Sequence, residues 1–148
     1  MLFALAVFAA AAAGGAEAVR ASDFATDPMR GYALGGRDPV AYFTQHKAVE
    51  GSERHELSWG GTRWIFRNEG NRAAFEKAPL VYAPAFTGCD PFALADGFVV
   101  SGNPALFALY RNRLLLFHSD INRFLFLADP QNLWDMALGN ASRLGCEP

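Results

Sequence analysis

The chain has 148 residues, of which 51% are hydrophobic, 14% aromatic and 19% charged, enough to bury one core and too few for two large domains. Its formal net charge of -2 is spread along the chain without basic blocks. Nucleic acid and anionic membrane surfaces therefore find nothing to hold, and neither is expected as a partner.

The first residues, MLFALAVFAAAAAGGAEA, carry an apolar run from Leu2 to Ala13, then Gly14-Gly15, then the small-x-small triplet Ala16-Glu17-Ala18. This reads as a secretory signal peptide over 1–18, with the mature chain starting at Val19. The run is shorter than the roughly 20 apolar residues of a spanning helix, so no stable membrane span is expected. Unlike most signals, it has no Lys or Arg before it. The implied location is the periplasm or the exterior. There the two cysteines, Cys89 and Cys146, meet an oxidising environment and can form one disulfide that pins the C-terminal tail. Sequence alone leaves the bridge open, because it supplies no Cα separation.

Further along, GRDPVAYF (36–43) returns as GCDPFALA (88–95). A shift of 52 pairs Gly36 with Gly88, Asp38 with Asp90, Pro39 with Pro91 and Ala41 with Ala93. A shift of 51 then pairs Gly51 with Gly102, Trp59 with Tyr110, Phe66 with Phe117, Asn71 with Asn122, Arg72 with Arg123, Phe75 with Phe126 and Pro79 with Pro130. The order is kept across one single-residue gap, which indicates a duplicated unit. The units run over about 36–84 and 88–142.

Each unit opens with Asp as a helix N-cap and Pro at the first helical position. Asp38 and Asp90 are thus structural caps, since a carboxylate occupied by backbone N–H groups is a poor acid or base. Next, RHELSWGGTRWIF reads as two strands around Gly60-Gly61, a pair that suits a two-residue hairpin turn. In the second unit ALFALYRNRLLLF does the same, with Asn112 in place of Gly61. Asn68 and Ser119 can then cap helices, and Pro79 and Pro130 stop or redirect the chain. Finally QNLWDMALGNASRL reads as a closing helix with Leu133, Trp134, Ala137 and Leu138 on its apolar side and Gly139 as its C-cap. The fold class is α+β: antiparallel β-hairpins with small flanking helices, internally duplicated, in one compact domain.

Side chains with chemical potential are few. Cys89 lies just outside a helix N-terminus, where the dipole favours a thiolate; it reads as a reactive thiol, a disulfide partner or a buried filler. His55 belongs on a strand surface and His46 in a solvated connection. His118, at a strand end, reads as a ligand or proton carrier, or as a half-buried imidazole. Tyr42, Phe43, Trp59, Trp64, Phe66, Phe75 and Tyr82 could line a pocket for an apolar ligand, but they recur at strand and helix periods, and core packing explains most of them better. In INRFLFLADP, apolar residues from Ile121 to Leu127 face every direction, so either the closing helix or a protein partner must cover some of them.

The runs RDPVAYF, WGGTRWIFRNEGNRAAFEKAPLVYAP and LLLFHS together resemble the YHS domain, in particular exported bacterial proteins built around it. The resemblance covers Gly31 to about Leu138, within a YHS-like domain taken as 31–142. It implies the α+β fold and a metal-binding module of the kind found beside copper and heavy-metal transport proteins. In the metal-type members the Asp-Pro phrase ends in Cys and the strand-to-helix junction reads Phe-Cys-Ser-x-x-Cys. Here those positions hold Ala41, Arg67 and Asn71 in the first unit and Ala93, His118 and Asn122 in the second. Of the six only His118 is a strong ligand type, and a structural site usually needs four donors. The resulting expectation is a non-enzymatic binding or accessory module with no certain cofactor. Two alternatives stand beside it: a transition-metal protein in which His118 cooperates with Cys89, His55 or carboxylates, and a thiol redox protein using Cys89.

Overall fold

The computed structural model describes Phe24, Thr26 and residues 28–147; the expected signal peptide at 1–18 lies outside them. In the first half, helix α1 (Ala41–Thr44), strands β1 (Ser52–Trp59) and β2 (Thr62–Phe66), and helices α2 (Glu69–Lys77) and α3 (Pro79–Tyr82) follow one another. The second half repeats the order as α4 (Pro91–Ala95), β3 (Asn103–Tyr110), β4 (Arg113–Phe117), α5 (Asp120–Ala128) and α6 (Pro130–Leu144). The strands form two antiparallel two-stranded sheets, β1-β2 and β3-β4, and the fold is α+β.

The two hairpins share one register. Ser52 pairs with Phe66 and Trp59 with Thr62; Asn103 pairs with Phe117 and Tyr110 with Arg113. Both ladders are irregular at the same place, between Ser52 and Glu56 and between Asn103 and Phe107. The turns use left-handed backbone at both central residues: Gly60 and Gly61 (φ 59° and 69°), then Arg111 and Asn112 (φ 50° and 56°). That geometry matches the twist of the flanking strands. Beside each hairpin a glycine is required by space. A Cβ on Gly51 would lie 2.6 Å from the Ile65 carbonyl, and one on Gly102 2.7 Å from that of Leu116.

The capping residues act as their types dictate. Asn68 accepts from Asn71 N–H and Ser119 from Asn122 N–H, and Pro79 and Pro130 start α3 and α6 rather than merely ending α2 and α5. The closing helix departs from expectation. It runs through Gly139 to Leu144, and Gly145 (φ 74°) is its C-cap. Packing overrides the weak helix propensity of Gly139, because Ala137 and Ala141 on either side of it are fully buried. Leu138, expected on the apolar side, is exposed, whereas Trp134 and Ala137 are buried.

Each half has its own core, and β4 separates them. Leu114 and Leu116 join the first, with Tyr42, Trp64, Phe66 and Phe75; Leu115 and Phe117 join the second, with Phe86, Phe126 and Trp134. Alternate residues of a strand point to opposite faces, so a strand buried on both faces reads as the continuous run Leu114-Leu115-Leu116-Phe117. Aromatic packing repeats along with the backbone. Phe66 and Phe75 meet at 5.3 Å and 54°, Phe117 and Phe126 at 5.5 Å and 57°. Tyr42 joins the halves: its hydroxyl donates to the Pro104 carbonyl at 2.8 Å and its ring meets Phe107 edge-on at 4.8 Å. Burial holds that phenol protonated, its pKa well above the usual value.

One duplicated feature is not announced by the sequence. Leu34, Gly35 and Gly36 are all left-handed (φ 56°, 59° and 80°), and so are Phe86, Thr87 and Gly88 at a shift of 52 (φ 55°, 52° and 89°). The first turn assigns glycine to two of its three positions. The second places the β-branched Thr87 and bulky Phe86 there, each strained by about 1–3 kcal/mol.

Candidate functional site

Asp38 and Asp90 are both fully buried, and each organises its unit. One oxygen of Asp38 accepts from the N–H groups of Val40 (2.8 Å) and Ala41 (3.3 Å); the other accepts from Arg67 N–H (2.7 Å) and Asn71 Nδ2 (2.6 Å). Asp90 repeats this with Phe92 (2.8 Å), Ala93 (3.2 Å), His118 N–H (2.7 Å) and Asn122 Nδ2 (2.7 Å). Each aspartate caps a helix start and also ties that start to the strand-to-helix junction of its own hairpin. With every acceptor direction occupied, neither carboxylate is placed for proton transfer. Helix α1 is assigned only from Ala41, yet its cap bonds from Asp38 match those of Asp90 on α4.

All six positions at which the resemblance would set cysteines converge on these two nodes. Ala41, Arg67, Ala93 and His118 supply backbone N–H groups, and Asn71 and Asn122 supply side-chain amides. The His118 imidazole is exposed, not half-buried. Cys89 is bridged to Cys146, with Cα atoms 6.1 Å apart. Its sulfur is therefore neither a free thiolate nor a metal ligand in this state, whereas the thiol reading and the pairing of His118 with Cys89 both call for an unbridged Cys89. The bridge forms because Gly145 turns the end of α6 back over the second core, burying Cys146. Among the described residues no group of three or more His, Cys, Asp and Glu side chains is placed to hold a metal ion. His55 stands on β1 with Nδ1 3.4 Å from Glu69, and His46 is exposed.

Helix α5 buries Phe126, while Ile121 (69%), Phe124 (73%), Leu125 (40%) and Leu127 (49%) remain exposed. The closing helix packs elsewhere. It lies along α4, and Asn140 Nδ2 donates to the Leu94 and Ala95 carbonyls at 2.9 and 3.2 Å. The equivalent helix α2 holds Gly70, Ala73, Ala74 and Glu76 at the four matching positions. The same helix in the same setting thus forms without this apolar face. No helix among the described residues is long and apolar enough to cross a membrane.

Two neighbouring cavities open beside the strained turns. The larger, about 420 Å³, is walled by Leu34, Trp64, Pro84, Thr87, Pro104 and Leu116 among others; the smaller, about 240 Å³, reaches Trp59, Leu80 and Arg113. The sequence offers Trp64 and Trp59 as pocket-lining aromatics, and they line the larger and the smaller cavity respectively; it does not locate the cavities, because most of their walls come from loops and from opposite units. Arg113 carried one faint signal: at a shift of 51 it stands where the first unit has the buried Thr62.

Compared with family models, with curated proteins and with solved structures, the chain finds no match in any of the three.

Proposed function

We propose that this chain is an exported, non-enzymatic binding or accessory module of the YHS type, in which the first unit is framework and the second presents a protein-docking face. The exposed apolar side of α5 carries this reading. Single exposed apolar residues are ordinary on a protein surface, but a contiguous cluster has a use or is a liability. Helix α2 shows that the fold does not need it. Two further observations support the reading. Hydrogen-bonded aspartate nodes occupy the six cysteine positions of metal-type relatives, which suits a YHS frame kept without its thiolates. A disulfide suits an oxidising compartment.

The test is recovery of the chain from a periplasmic fraction. A mature mass starting at Val19 is expected, together with a discrete complex that Phe124→Asp abolishes without loss of the folded monomer. A chain that keeps residues 1–18 and stays in the cytosol would contradict export. Identical complexes from the wild type and Phe124→Asp would contradict the role of α5.

A further inference from the structure

Arg113 is the one guanidinium among the described residues with a buried side-chain nitrogen that lacks any hydrogen-bond partner: its Nε is sealed from solvent and unpaired. It forms no ion pair with a described carboxylate. Burial alone pulls its pKa below the usual arginine value, with no acid opposing the shift. Arg113 as a whole is only partly buried, and a partly desolvated cation gains from an anionic partner that offsets its lost hydration. Glu147 also lines the smaller cavity, but it accepts from Ser142 Oγ at 3.4 Å instead.

The surroundings of Arg113 favour one class of anionic partner. Arg113 borders the smaller cavity, which shares Phe24, Pro84 and Thr87 with the larger one. Among the described residues no charged side chain lines the larger cavity, and its walls are mostly apolar. Its volume falls in the usual range for small-molecule sites, which combine an apolar lining with a few placed polar groups. The turn at Phe86 and Thr87 keeps a strained conformation at this wall, as backbones often do at ligand sites. Arg113 and the strained Thr87 belong to the second unit, where the first has Thr62 and Gly35, while Leu34 repeats the left-handed backbone of Phe86 in the first.

We propose that the paired cavities bind an amphipathic monocarboxylate, its apolar body between Leu34, Trp64, Pro104 and Leu116 and its carboxylate on the Arg113 guanidinium. A guanidinium matches a carboxylate in shape and charge through two parallel N–H···O bonds. This gives the proposed binding module a ligand class and so rests on that reading, but it uses a different surface from α5.

Calorimetric titration of the mature protein with decanoate and with decan-1-ol tests the assignment, with Trp64 and Trp59 fluorescence as a second signal. Decanoate should saturate one site, and decan-1-ol should bind about 10-fold or more weakly, the loss of one charged hydrogen-bonding contact. Arg113→Gln should bring decanoate down to the level of the alcohol while raising the melting temperature of the free protein, since an uncompensated charge is gone. Ser101→Trp, at the rim of the larger cavity, should weaken both ligands, and Phe124→Asp should change neither. Absence of saturable decanoate binding, equal affinities for acid and alcohol, or an Arg113→Gln protein that holds decanoate as well as wild type would each overturn the assignment. Loss of binding in Phe124→Asp would overturn it too, by moving the ligand to α5. If decanoate fails while Phe124→Asp still abolishes the protein complex, the cleft assignment falls and the docking role stands.

Discussion

Each aspartate in the repeated Asp-Pro phrase has a larger task than capping a helix. As a cap alone, Asp38 or Asp90 would cost about 0.5–2 kcal/mol on replacement by Ala. Both are fully buried, however, and each also receives an N–H and an Asn amide from the hairpin junction. Truncation would strand those donors at about 1–3 kcal/mol. Asp38→Ala and Asp90→Ala are therefore expected to lose on the order of 3 kcal/mol each, and Asn71→Ala and Asn122→Ala less. Urea midpoints check this, and an unchanged midpoint for Asp90→Ala would remove the node from the account. The cap was legible because Asp-Pro has a local meaning. The second half of the node was not, because Asn71 and Asn122 lie more than 30 residues away and nothing local marks them as partners. Thr87 and Phe86 were illegible for the opposite reason: neither residue type signals left-handed backbone, so only coordinates reveal it.

At the scale of elements, turns, caps and strand pairing followed from local chemistry, whereas helix ends followed from packing. Gly139 resembles a stop signal, yet the helix continues because Ala137 and Ala141 dock into the second core and Asn140 clamps α4. That extra length brings Cys146 to Cys89 across a sequence separation of 57. Closing a loop of this size in the unfolded chain stabilises the native state by about 2–4 kcal/mol. Cys146→Ser should accordingly lower stability by that amount, and the loss should fall on α6 and the second core. Hydrogen exchange in α6 and α4 would show it, and unchanged protection in α6 would mean that the helix docks without the bridge. Helix α5 illustrates a limit of pattern reading. Its all-round apolar sequence shows that something must cover it, but the sequence cannot exclude α6 as the cover; only the placement of α6 along α4 does.

Across the whole molecule the two units keep one backbone plan and differ in what they display. The first has a polar α2, glycines in its left-handed turn and Thr62 at the start of β2. The second has an apolar α5, strained Phe86 and Thr87, an unpaired Arg113 and the disulfide. Strand β4, buried on both faces, joins the two cores and makes them one folding unit. The duplication was legible because aromatics, glycines and prolines recur at constant spacing; the division of labour was not, since it depends on which side chains remain exposed once both units have packed. The central claim is that protein docking belongs to the second unit. Its most direct test is site-specific photo-crosslinking in intact cells, with a benzophenone amino acid placed at Phe124 on α5 or at the equivalent Ala73 on α2. A discrete crosslinked species is expected from position 124 and none from position 73. Equal crosslinking from both positions, or crosslinking from 73 alone, would contradict it.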